Sequence, residues 1–254
     1  MSEYRRNTGM VVCIIAVLGV GAITVGALTY FGSTGWWGNF NWNQAKTTFL
    51  FQQDVGNTTG TVLLDVNLAV GGLSLRFADN SSLLYRISVE VQNSTLEQDG
   101  PPAVTFNANR IIIDYSAAGV NVTLGTGVRY AIHADVSTGG ISATMHNGAQ
   151  LANVSLTTTT GGVTVLVTDQ VAILGNVPFD LHASTGGITV NVDLPAGIGG
   201  SFEASTTVGG VHVSTATWTE VTQYHYKTAD YDVASNRVSI VAVTTTGGVS
   251  ANLS

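Results

Sequence analysis

The sequence predicts an all-β protein: a single-stranded β-helix, or β-solenoid, of roughly 21–25-residue rungs, preceded by one transmembrane α-helix. Three observations carry that expectation. Pairs of glycines recur at near-regular spacing, apolar residues alternate on either side of them, and a long uncharged apolar run lies near the N-terminus.

Residues 1–9 contain Arg5 and Arg6, and the run from Met10 to Phe31 contains 22 residues without a charge. As a helix that run spans roughly 33 Å, enough to cross a hydrocarbon core of about 30 Å. Beyond it the nearest cations are Lys46, Arg76 and Arg86. The positive-inside bias therefore places residues 1–9 in the cytoplasm, residues 10–31 in the bilayer and the rest outside the cell membrane. Two other readings of the run stay open. Val25-Gly26-Ala27 offers small residues to a signal peptidase. A pilin-type leader cut near Gly9 would instead free the apolar helix to pack into a filament, although the acidic residue many pilins carry early in that helix is missing.

Residues 32–48 read as a juxtamembrane linker rich in glycine and aromatics. Trp36, Trp37 and Trp42 suit either the membrane interface or burial against the following domain. The lone cysteine, Cys13, sits in the apolar run, so no intrachain disulfide forms and the external domain rests on packing and backbone pairing. A net charge of -7, from 9 basic and 16 acidic residues, leaves no basic stripe for phosphate contacts and excludes nucleic acid as a partner.

Residues 49–254 carry the repeat. The pairs are Gly71-Gly72, Gly139-Gly140, Gly161-Gly162, Gly186-Gly187, Gly209-Gly210 and Gly247-Gly248, with Ala118-Gly119 standing in once. Measured at the second glycine, the steps are 47, 21, 22, 25, 23 and 38 residues. The step of 47 predicts a degenerate rung near SVEVQNSTLEQDGPPAVTF, and the step of 38 predicts an insertion over WTEVTQYHYKTADYD. After each pair the apolar residues hold one parity, as in Val163, Val165 and Val167 or Ile188, Val190 and Val192. That period of two belongs to strands with one buried face. Glycine at each corner supplies positive φ, and its missing side chain lets rungs stack about 4.8 Å apart. The threonines before it are expected to face water and form hydroxyl ladders between rungs. Ordinary hairpins of a sandwich remain the competing reading of the same turns.

Six N-x-S/T triplets, at Asn57, Asn80, Asn93, Asn121, Asn153 and Asn252, are candidate glycosylation sites, and parity turns Asn121, Asn153 and Asn252 outward. Corners made of Ser or Thr, then Thr-Gly-Gly-Ile/Val, with DLPAG and IGGSFEAST between them, resemble the "putative adhesin" or toast-rack β-solenoid domains of unknown function. The resemblance covers roughly residues 60–254. It implies a surface domain tethered to a membrane helix on a prokaryotic cell, with a surface glycan or protein as its partner. Many members carry Gly-Asp or Gly-Asn at the corner, where this chain has glycine throughout. No catalytic residue is established for them, so none is carried over.

The search for chemistry is short. His133, His146, His182, His212 and His225 form no metal-ligand motif, and those at 146, 182 and 212 share outward parity, so that two could stack as a surface pair. Asp180 and Asp193 lie 13 residues apart in one unit, across a corner, and read as solubilising charges more readily than as an acid/base pair. Asp230 and Asp232 lack the spacing of a calcium loop. No cofactor is expected. Trp218, Tyr224 and Tyr226 in the insertion suit either a cap over the end of the solenoid or a protrusion that binds a partner. The residues therefore point to a structural or adhesive, non-enzymatic surface protein. A pilin-like filament or coat subunit is the alternative, and an extracellular polysaccharide-active enzyme is the remoter one.

Overall fold

The computed structural model describes residues 45–254 and the backbone of Thr24–Ala27. The predicted cytoplasmic segment 1–9, the indole belt at Trp36, Trp37 and Trp42, and most of the predicted helix 10–31 lie outside the described residues. The described part of that helix is different: Thr24–Ala27 is a strand, β1, antiparallel to Phe49–Gln52. Among the described residues no helix is long and apolar enough to cross a membrane.

The rest is almost entirely strand. A typical rung is an extended first arm, a glycine corner and an extended second arm. Three rungs run through the corner as one strand: β3 (Thr61–Phe77), β6 (Arg110–Leu124) and β7 (Arg129–Met145). In four others the corner divides the arms: β8 (Gln150–Thr160) with β9 (Val163–Val167), β11 (Asn176–Thr185) with β12 (Ile188–Val192), β13 (Gly199–Val208) with β14 (Val211–Thr215), and β17 (Arg237–Thr246) with β18 (Val249–Leu253). The short β10 (Ala172–Ile173) continues the β8 edge. Neighbouring rungs pair in parallel with their corners in register.

The order of stacking is not the order of the chain. β6 lies at one end, and β3 comes next, paired on its other side with β7. The rungs β8–β9 and β11–β12 follow in sequence. Then comes β17–β18, paired with β11–β12 on one side and with β13–β14 on the other. The first and the last rung of the chain are thus each slotted between two earlier-formed or later-formed neighbours. A solenoid wound in chain order is corrected at both ends.

No degenerate rung hides in residues 88–106. That region forms β4 (Leu83–Gln92), a short helix α1 (Asn93–Asp99) and β5 (Val104–Asn107). Both strands run antiparallel to β6, with β5 on its first arm and β4 on its second. β2 (Lys46–Asp54) then adds antiparallel to β4, and β1 lies on its outer edge. The β6 end of the stack is closed by this antiparallel layer. At the other end the insertion forms a hairpin of β15 (Thr219–Thr222) and β16 (His225–Lys227), with β16 antiparallel to Ser201–Glu203.

The interior follows from the alternation. Ile111, Leu64, Ile132, Val154, Phe179, Ile240 and Phe202 form one continuous buried row across seven rungs. Leu124, Phe77, Met145, Val167, Val192 and Leu253 form another on the second arm. Phe77 and Tyr130 meet edge to face at 5.8 Å, and Tyr130 donates its hydroxyl to the Leu84 carbonyl at 2.6 Å.

Two of the threonines expected to meet water do not. Thr158 and Thr244 are buried, because inward parity reaches the last residue before the bend. Each hydroxyl there finds a carbonyl: Thr158 Oγ1 donates to Gly139 O at 3.1 Å and Thr244 Oγ1 to Gly247 O at 3.3 Å. Thr206 on the neighbouring rung also donates to Gly247 O, at 3.0 Å, so hydroxyls at this position bond to corner carbonyls rather than to water.

Candidate binding surface

Stacking converts each sequence position into a row, and outward rows make two faces of different chemistry. On the first arm one row runs Ile112, Asp65, His133, Ser155, Asp180, Val241 and Glu203. The next runs Asp114, Asn67, Asp135, Thr157, His182, Val243 and Ser205. This face is acidic. Its charges are partly answered locally: Arg110 pairs with Asp65, and His133 Nε2 lies 3.0 Å from Asp135 Oδ2.

The second arm presents a nearly neutral face. One row runs Asn121, Ser74, Ser142, Thr164, Thr189, Ser250 and His212. The other runs Thr123, Arg76, Thr144, Leu166, Asn191, Asn252 and Ser214. Hydroxyl and amide groups recur at the strand spacing of about 4.8 Å, with Arg76 as the one formal charge in the two rows. At the bend, Thr138, Thr160, Thr185 and Thr246 continue the array as an exposed hydroxyl ladder, flanked by exposed Val70 and Val208. Sheet geometry holds these groups in place, so a ligand that matches the array meets donors and acceptors already ordered.

The residues singled out from sequence fall in several places. Asn57, Asn80, Asn121 and Asn252 are exposed, whereas Asn93 and Asn153 are half-buried. Asn80 Oδ1 accepts from the Ser82 and Leu83 backbone N–H groups, and Asn93 Oδ1 accepts from the Thr47 hydroxyl. The histidines do not stack: His182 lies between Thr157 and Val243 on the first arm, His212 beside Ser250 on the second, and His146 beyond Met145. His182 Nδ1 is buried without a hydrogen-bond partner. Asp180 belongs to the acidic first-arm row, and Asp193 follows the end of β12, where its backbone N–H donates to Val167 O. Asp232 pairs with Lys227 at 2.9 Å. Among the described residues no group of three His, Cys, Asp or Glu side chains is placed to hold a metal ion.

Trp218 lies over the β13 end of the stack. A Cβ on Gly200 would meet its ring at 2.2 Å, so glycine is what makes room for the indole. The indole Nε1 points to Ser254 O at 3.5 Å. Tyr226 stands opposite Phe202 in the hairpin register, and Tyr224 O accepts from the Ala204 N–H. These aromatics cover the first arm of the end rung. Sequence alone did not separate the two outward faces, because face chemistry depends on which rungs are neighbours.

No protein-family model and no curated protein sequence matches the chain. The fold is similar to that of a crystal structure described as a "putative cell adhesion protein" from Clostridium sporogenes, with a TM-score of 0.64 at 15% identity over 82% of this chain and 100% of that one. Crystal structures described as a "putative adhesin" from Bacteroides fragilis and from Parabacteroides distasonis align over 81% and 84% of this chain and 97% and 98% of theirs. Their identities are 10% and 8% and their TM-scores 0.29 and 0.28, too low to carry an argument. The Clostridium likeness is one of fold.

Proposed function

We propose that this chain is a surface β-repeat protein with an adhesive or structural, non-catalytic role. The β domain, with Thr24–Ala27 as one of its strands, stands outside the cell membrane. The observation that carries the adhesive reading is the second-arm face, a rigid, nearly neutral lattice of hydroxyl and amide groups. Such a lattice suits an extended, uncharged, hydroxyl-rich partner such as a surface glycan, which offers the same groups in return. The fold shared with a protein described as a cell adhesion protein supports the reading.

The test is a panel of neutral and acidic polysaccharides applied to the full chain in detergent micelles. Binding to a neutral member is expected, and Thr164→Lys with Thr189→Lys should abolish it by breaking the centre of the lattice. No binding across the panel, or binding indifferent to both substitutions, would overturn the proposal.

A further inference from the structure

We infer that the protein forms a closed dimer by pairing the outer edge of β14 with the same edge of a second copy. The inference is independent of any ligand.

The two ends of the stack are finished differently. At the β6 end both arms are covered, by β5 and β4, and the next edge out carries β1. At the β13–β14 end the hairpin pairs with Ser201–Glu203, and no described strand pairs with the outer edge of β14. The consequence shows in burial. Val249, Ala251 and Leu253 are buried, while Val211, Val213 and Thr215 in the next position of the same rows are only half-buried. Val208 is 61% exposed and Val221 on the hairpin 49%.

Edges left open in solution are usually defended by charge, proline or a bulge. This one is not: between Glu203 and Glu220 there is no Asp, Glu, Lys, Arg or Pro. The Val249 N–H donates to Gly210 O. Parallel geometry then turns the backbone groups of Gly210, His212 and Ser214 toward β18, and those of Val211, Val213 and Thr215 outward.

The occupant follows from the pattern of ends. A copy cannot stack head to tail, because the β6 end that it would present is already covered. Among the described strands β1 and β15 also end their layers, but each is four residues long and β15 carries Glu220. The uncharged five-residue β14 edge is therefore the one that pairs with itself about a twofold axis, which closes at two. Antiparallel pairing centred on Val213 sets Val211 opposite Thr215 of the other copy and Val213 opposite its equivalent. Every outward-turned residue then exchanges two hydrogen bonds with its partner, and the apolar rows continue across the axis. The same register sets Thr215, from which the chain enters the hairpin, beside the other copy's corner. Val221 of one copy thereby comes to the side of Val208 of the other.

The full chain in detergent micelles, measured by size exclusion with light scattering, should have the protein mass of two copies. Val213→Pro removes an outward N–H and no bond to β18, so it should give a monomer at the same concentration with unchanged circular dichroism. In the double variant His212→Cys/Ser214→Cys, oxidation should link position 212 of one copy to position 214 of the other, since these face one another in a non-hydrogen-bonded pair about 4.5 Å apart. If Val213→Pro fails to fold, this crosslink, located by peptide mass, decides alone. A monomeric wild-type chain, an open-ended series of larger species, a dimer that survives Val213→Pro, or a dimer without the 212–214 link would each overturn the inference.

Discussion

A Cβ placed on Gly161 would lie 1.6 Å from the carbonyl oxygen of Gly139 on the neighbouring rung. The same relation ties Gly186 to Gly161, Gly247 to Gly186 and Gly209 to Gly247, and these residues all have φ between 140° and 148°. Conformation and space therefore both demand glycine at the first corner position. The second position is different. A Cβ on Gly162 would stand 3.3 Å from Gly187 O, and one on Gly210 would meet nothing within 4 Å. Gly161→Ala is expected to cost on the order of 4 kcal/mol or more, since backbone must move on both rungs. Gly162→Ala should fall within about 1 kcal/mol of wild type, and Gly210→Ala should be neutral or slightly stabilising. Urea unfolding of the three variants checks the ranking, and equal costs at Gly161 and Gly210 would refute it.

The corner shows how far sequence carries the fold. Positive φ and close stacking can be read from paired glycines because both constraints act on one residue. The stacking order cannot, since it depends on which equivalent rung lies beside which. One residue did mark it. Ala118 fills the first corner position of β6, and the Cβ direction that points at a neighbour's carbonyl elsewhere points there away from the stack, toward the β4 side. Only the end rung tolerates that side chain, so Ala118 identifies an end that lies in the middle of the sequence. The β4–β5 layer was missed for a related reason. SVEV alternates as a rung would, and alternation is blind to strand direction. The two outward faces were illegible until neighbours were known.

Two buried phenols make a prediction about alkaline stability. Burial pushes the Tyr85 hydroxyl up to about 12. Burial pushes Tyr130 up as well, against a smaller opposing hydrogen bond from the Gly125 backbone. The unfolded chain releases these protons near pH 10. The folded state holds them more tightly, so their contribution is complete below about pH 10 and is lost as pH rises toward the folded values. Unfolding free energy should therefore fall between pH 10 and 12, by up to about 1.4 kcal/mol per pH unit for each tyrosine. Tyr130→Phe should cost about 1–2 kcal/mol at pH 8, where it strips a donor from Leu84 O, and should flatten the alkaline slope. Urea midpoints at pH 8, 9.5 and 11 for both proteins provide the comparison, and parallel slopes would refute the assignment.

The last rung of the chain is expected to hold the far half of the stack together. In a solenoid wound in order, removing the final rung exposes one interface and leaves the others paired. Here β17–β18 stands between β11–β12 and β13–β14, so its removal unpairs both neighbours at once. It also withdraws Val238, Ile240, Ala242, Val249, Ala251 and Leu253 from the core. At about 1.5–3 kcal/mol for each of the larger side chains, that loss is comparable with the whole stability of a typical domain, about 5–15 kcal/mol. A chain ending at Ser235 should therefore lose its cooperative urea transition, and the peptide 236–254 added in trans should restore one by filling the slot. A truncated chain that unfolds as cooperatively as the intact protein would mean that β12 and β13 can close on each other without the inserted rung.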